Sequence, residues 1–207
     1  MKSVDALPGL APLNVNRIVV ALAALVIGVS ACGSDAPSAT DDRGADQETS
    51  TTAAPTTSID DNGITFYEGI SHGHTDAAVD YTQSPPVGGY HAYAWQNCGV
   101  YDAPVIDENA VHSMEHGAVW LAYDPSLTDE QVEVLRALAS GESHVLVSPY
   151  EGLADGEAVV ATAWGVQLRL DSVDNPRLAA FVATYQKDAR APEPGATCAG
   201  AIGEPIQ

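Results

Sequence analysis

Hydrophobic and polar positions divide the 207-residue chain into three stretches of different character. Ile18 to Val29 is a run of twelve uncharged, apolar residues with Arg17 directly before it. A bilayer-spanning helix needs about 20 such residues, so the run reads as the hydrophobic region of an export signal. Residues 33–61 contain no Trp, Tyr, Phe, Leu or Val and one Ile. Such a stretch buries too little to offset the entropy of ordering, and it reads as a flexible tether. From residue 62 onward apolar residues return with regular periods.

In the second half of that region the periods predict specific elements. Ala118–Tyr123 (AVWLAY) is a buried strand stopped by Asp124-Pro125. Thr128–Ala139 has the amphipathic helical period, with Thr128 and Gln131 spaced as a capping box and Asp129 and Glu130 in the first turn. His144–Ser148, Ala158–Trp164 and Val166–Leu170 are β-branched-rich strands. Asn175 and Pro176 suit the N-cap and first position of a last helix through Gln186. The first half, up to about Glu115, is irregular and rich in Gly, Pro, His and Tyr. The expected fold is α+β: one domain with a mixed β-sheet, two main helices on one face, and a loop-rich N-terminal half. Pro85-Pro86 and Gly88-Gly89 make a rigid turn that aims Tyr90 and His91, and Trp95, Trp120 and Trp164 are expected in the core.

Charge narrows the partners. The chain has 28 acidic and 8 basic residues, a net charge of −20. Eight scattered bases exclude a nucleic-acid grip and a polybasic lipid patch. The tether carries −6, and residues 62–207, with 20 acids and 5 bases, carry −15. After the apolar run come Ser30, Ala31 and Cys32, which together resemble a bacterial lipobox. This gives the expected organisation: signal peptide 1–31, lipidated Cys32 and acidic tether 32–61, folded domain 62–207. The expected location is the outer face of the cell membrane, held by the lipid on Cys32, with no protein partner named by the sequence. Its 29 residues give the tether a reach of roughly 30 Å. Lipidation of Cys32 leaves Cys98 and Cys198, and an oxidising compartment makes a disulfide their default. The alternative for Cys98 is metal ligation.

Five of the six histidines lie within residues 72–116. In VHSMEHG (111–117), His112 and His116 share a face as i, i+4 on a helix or on a strand. Neutral imidazole suits zinc and copper. The candidate ligands are His74, His91, His112 and His116, with His72 and Met114 weaker. A Met114 thioether would favour copper, whereas Glu115 as general base would complete the H-x-x-E-H pattern of a small metal-dependent hydrolase. That pattern lacks a third ligand identifiable by spacing, and only a turn or two of helix fits before the following strand. The opposing expectation is that these histidines hydrogen-bond within a loop-rich core, and a non-metal envelope interaction module is the competing class. His144 is read in that structural way. No nucleotide-binding glycine motif or nucleophile elbow occurs in the sequence.

SPPVGGYH (84–91), CGVYDAPV (98–105) and VHSMEHGAVW (111–120), followed by SPY (148–150), TAWG (162–165) and Pro192-Glu193, resemble the bacterial domain-of-unknown-function family numbered 3105. The resemblance spans about residues 66–194. It implies that His91, His112, Glu115, His116 and Gly117 belong to the family pattern, and it implies no activity. Gly88 stands where the family usually has Ser, and Met114 where Leu is more typical. The second departure weakens the thioether reading and leaves the His/Glu set as the stronger candidate.

Overall fold

The computed structural model describes residues 55–207; the signal, Cys32 and the tether up to residue 54 lie outside the described residues. Seven strands form one mixed sheet. They are β1 (Thr56–Ile59), β2 (Ile64–Glu68), β5 (Gly99–Val100), β6 (Val119–Tyr123), β7 (Val145–Pro149), β8 (Val159–Ala163) and β9 (Val166–Leu170), in the order β1-β2-β9-β8-β6-β7-β5. β5, β7 and β6 are mutually parallel neighbours, and the β6-β8-β9-β2-β1 side is antiparallel. Three helices pack on the sheet: α1 (Asp107–Glu115), α2 (Asp129–Ala139) and α3 (Pro176–Tyr185). A separate parallel pair, β3 (Gly73–His74) with β4 (Tyr90–His91), lies in the first half.

The α+β class and the mixed sheet are as the sequence implies. The capping box of α2 forms with both of its hydrogen bonds, and Asn175 caps α3 ahead of Pro176. Three features differ. Residues 56–59, assigned to the tether, form β1. All four are exposed and held through backbone pairing with β2, so no hydrophobic signal marks them. A third helix, α1, occupies the half read as loops. Every residue from Asn109 to Glu115 is buried, so α1 has no polar face to reveal a helical period. The two main helices, α2 and α3, do share one face, but α1 covers the other. Val119, Leu121 and Tyr123 of β6 join a core with Leu135 of α2 and Phe181 of α3. The alternate residues Trp120 and Ala122 join a second core with Ala110, Val111 and Met114 of α1. The central strands are therefore covered on both sides, which explains why β6, β7 and β8 are buried at every position.

Candidate metal centre

Three short pieces of backbone deliver the histidines. In the β3-β4 pair the register sets His74 directly beside His91. α1 supplies His112, Glu115 and, at its C-cap, His116, which recur on one face as i, i+3 and i+4. The helix is stitched to the loop after β4: Asn109 donates to the Ala94 carbonyl at 2.6 Å, and Ser113 to that of Gln96 at 2.6 Å. It ends in a Schellman turn. The Gly117 N–H reaches the Met114 carbonyl and the Ala118 N–H that of Ser113, with Gly117 at φ +94°.

Glu115 is the hub. Its Oε2 lies 3.1 Å from His91 Nε2, 3.6 Å from His74 Nε2 and 3.8 Å from His112 Nε2, and its Oε1 lies 3.8 Å from His72 Nδ1. One donor atom from each of His74, His91, His112 and Glu115 falls within 4.8 Å of all the others. Two ligands at ~2.0–2.1 Å from a tetrahedral ion stand about 3.3–3.4 Å apart; the His91–Glu115 and His74–Glu115 contacts are close to that spacing, and a small inward movement of the remaining donors would close the set on a single cation.

The ring orientations are set by the backbone. His91 Nδ1 donates to the Gly89 carbonyl at 2.8 Å, His112 Nδ1 to Ala92 at 2.7 Å, and His116 Nδ1 to Thr197 at 2.7 Å. A carbonyl only accepts, so all three Nδ1 atoms carry the proton. When such a ring is neutral it presents an Nε2 lone pair, the outer-shell arrangement that orients metal-ligating histidines; at His91 the Nε2 atom faces the Glu115 carboxylate at 3.1 Å, a place for a proton or a metal ion between them. His112 and His116 direct their Nε2 atoms at each other across 3.1 Å. Two neutral rings so placed oppose lone pair to lone pair, which calls for a positive charge between them. A proton is disfavoured at His112. Burial first, then the neighbouring His116 and His91, hold its pKa below the ordinary imidazole value, against the opposing pull of the Ala92 carbonyl and Glu115. A metal cation satisfies the same lone pairs without protonating the rings.

The cluster grades from buried to open. His91 is fully buried and the side chains of His112, Glu115 and His116 nearly so, whereas His74 is 35% and His72 62% exposed. Tyr93 stacks on His74, Trp164 meets His72 and His91 edge-on, and Trp95 lies against His112 and His116. Trp95 is thus a half-buried wall of the cluster rather than core, while Trp120 is buried and donates to Ser148 Oγ. The proline-glycine turn does aim His91 inward; Tyr90 points out and is 52% exposed.

Not every candidate converges. Met114 is two residues from His112, about 200° around the helix, and packs with Val111 and Trp120 in the apolar core. The thioether reading falls on that geometry. Cys98 is bonded to Cys198, with Cα atoms 5.3 Å apart, so it is no ligand. Among the described residues His116 belongs to no four-donor group, but its Nε2 lies 3.7 Å from Oε2 of Glu193, a residue that spacing along the chain did not identify. His144 donates from Nε2 to the Ala196 carbonyl and accepts from Ser143, a hydrogen-bonded structural role.

The family described as protein of unknown function (DUF3105) matches residues 72–200, a span that contains every residue of this cluster. The chain belongs to that family. No curated protein and no solved structure matches the chain. DUF3105 membership leaves the chemistry of the cluster to be argued from the geometry.

Proposed function

We propose that this DUF3105 protein is a lipid-anchored, extracytoplasmic protein that binds a transition metal. The observation that carries the metal reading is the convergence of His74, His91, His112 and Glu115, with the Nδ1 atoms of His91 and His112 pinned to backbone carbonyls. Nitrogen and oxygen donors without sulfur suit zinc or divalent copper. In this reading Glu115 serves as ligand and counter-charge rather than as a free general base. The acidic surface, net −15 over residues 62–207, favours the approach of cations. The anchor reading is supported by the apolar run 18–29, the small residues before Cys32 and the acidic tether.

Metal loading of the purified full chain tests the first part. Zinc or divalent copper should bind stoichiometrically, and Glu115→Gln or His91→Ala should abolish tight binding. Retained affinity in both variants would refute it. For the anchor, Cys32→Ala should move the protein from the membrane to the soluble fraction, and persistence in the membrane fraction would refute the lipid attachment.

A further inference from the structure

The four-donor group leaves His116 unused, although its Nε2 is as close to His112 as any two ligands of one ion would be. His116 is 4% exposed, and its ring is locked by the Thr197 carbonyl with the Nε2 lone pair facing inward. A buried imidazole held ready in this way, with another lone pair opposing it at 3.1 Å, asks for a cation of its own. A carboxylate is also at hand. Glu193 Oε2 lies 3.7 Å from His116 Nε2, on a side chain that is 59% exposed.

The position of Glu193 is built by the fold. Residues 193–198 form a strap over the end of α1. The Glu193 N–H donates to the Glu115 carbonyl at 3.0 Å and the Gly195 N–H to that of His116 at 2.9 Å. These are terminal carbonyls of α1, which have no partner within the helix. Beyond them, Thr197 holds the His116 ring, Ala196 holds His144, and Cys198 is bonded to Cys98. The strap thus fixes both the orientation of His116 and the place of its carboxylate.

His112 lies between the two groups. Its Nε2 has one lone pair and serves one cation at a time. It is 3.1 Å from His116 Nε2 and 3.8 Å from Glu115 Oε2. The donors accordingly divide into His74, His91 and Glu115 on one side and His112, His116 and Glu193 on the other.

We propose that the cluster is a two-cation centre, with a second transition-metal site formed by His112, His116 and Glu193 beside the one at His74, His91 and Glu115. The proposal rests on the metal reading above and extends it. A first cation takes the four-donor group; loading of the second draws His112 to His116 and Glu193. Glu115 then stands at the boundary, its nearest partners His91 and His74 on the first side and His112 on the second. The outer ligand of the second site, Glu193 at 59% exposed, is more open to solvent than His74 at 35% in the first, so the second site is the weaker and the more exchangeable of the two.

Stoichiometry decides. The full chain is titrated with Zn(II) against a competing chromophoric chelator, and the wild type should take up two equivalents, the second more weakly. Glu193→Gln and His116→Gln should each take up one. Replacing the buried His116 risks disturbing the fold, whereas Glu193 is largely exposed and its variant tests the site without that risk. Saturation of the wild type at one equivalent would overturn the second site and leave the first standing. A second equivalent retained in Glu193→Gln and in a folded His116→Gln would place it elsewhere on the acidic surface, and the proposal fails. No binding at all would remove both readings. With Cu(II) as probe, the doubly loaded wild type should give a spin-coupled resonance that Glu193→Gln lacks; two uncoupled signals would count against adjacent sites.

Discussion

At the scale of single residues, the histidines differ sharply despite their shared chemistry. His91 is fully buried and nearest to Glu115, whereas the His72 side chain is 62% exposed and reaches only the far oxygen at 3.8 Å. Losing an outer-shell partner typically lowers metal affinity 10–100-fold, so loss of a ligand itself should cost at least that. His91→Ala is expected to lower zinc affinity by about 100-fold or more, with His72→Ala close to wild type, as read by competition titration. Residue chemistry alone made these side chains candidates: imidazoles close in sequence, a carboxylate among them. Their ranking was not legible. It depends on which Nδ1 meets a carbonyl, and Gly89, Ala92 and Thr197 supply those carbonyls through their backbone, where side-chain identity says nothing.

At the scale of elements, α1 shows what a pattern can hide. Helical periodicity is visible when one face meets water, as in α2, where Asp129, Glu130 and Glu133 alternate with apolar positions. α1 sits between the sheet and the histidine loops and is buried over its last seven residues, so its polar residues mark the site rather than the surface. Its sharp exit into β6 depends on Gly117. At φ +94° a β-carbon would stand 2.8 Å from the Cα of Lys187, a backbone atom that cannot step aside. Gly117→Ala should therefore cost more than about 1 kcal/mol, seen as a fall in Tm of several degrees. Because the turn also sets His116, zinc uptake at the second site should weaken in the same variant.

At the scale of the whole molecule, distant segments converge through the strap. The Cys98–Cys198 bond closes a loop with a sequence separation of 100 residues. Chain entropy assigns such a loop up to ~4–5 kcal/mol. Cys98→Ser with Cys198→Ser should lower the unfolding free energy by a substantial part of that in chemical denaturation. It should also weaken metal binding at His116 and Glu193 more than at His91. Acid sensitivity belongs to this scale too. Burial first, then Lys187 and His116, depress the His144 pKa, against the opposing hydrogen bond to Ala196. Its folded value therefore lies below the ordinary unfolded value of about 6.5. The unfolded chain takes up more protons in that window, so the contribution of His144 is fully present above about pH 6.5 and is lost as pH falls through the folded value. Metal-free protein should lose thermal stability on going from about pH 7 to 5, and His144→Gln should show a shallower loss. Local sequence set the regular half of the fold, because strands and amphipathic helices write their burial into local periods. It also determined the acidic surface and the histidine-rich half, which are matters of composition. Packing in three dimensions was needed to show that both faces of the sheet are covered, that β1 pairs at the edge, that Met114 turns into the core, and that Glu193 comes to His116. The covering of both faces and the meeting of Glu193 with His116 follow from contacts between segments far apart in the chain, the β1 edge from backbone pairing with the adjacent β2, and the burial of Met114 from the side chains around α1.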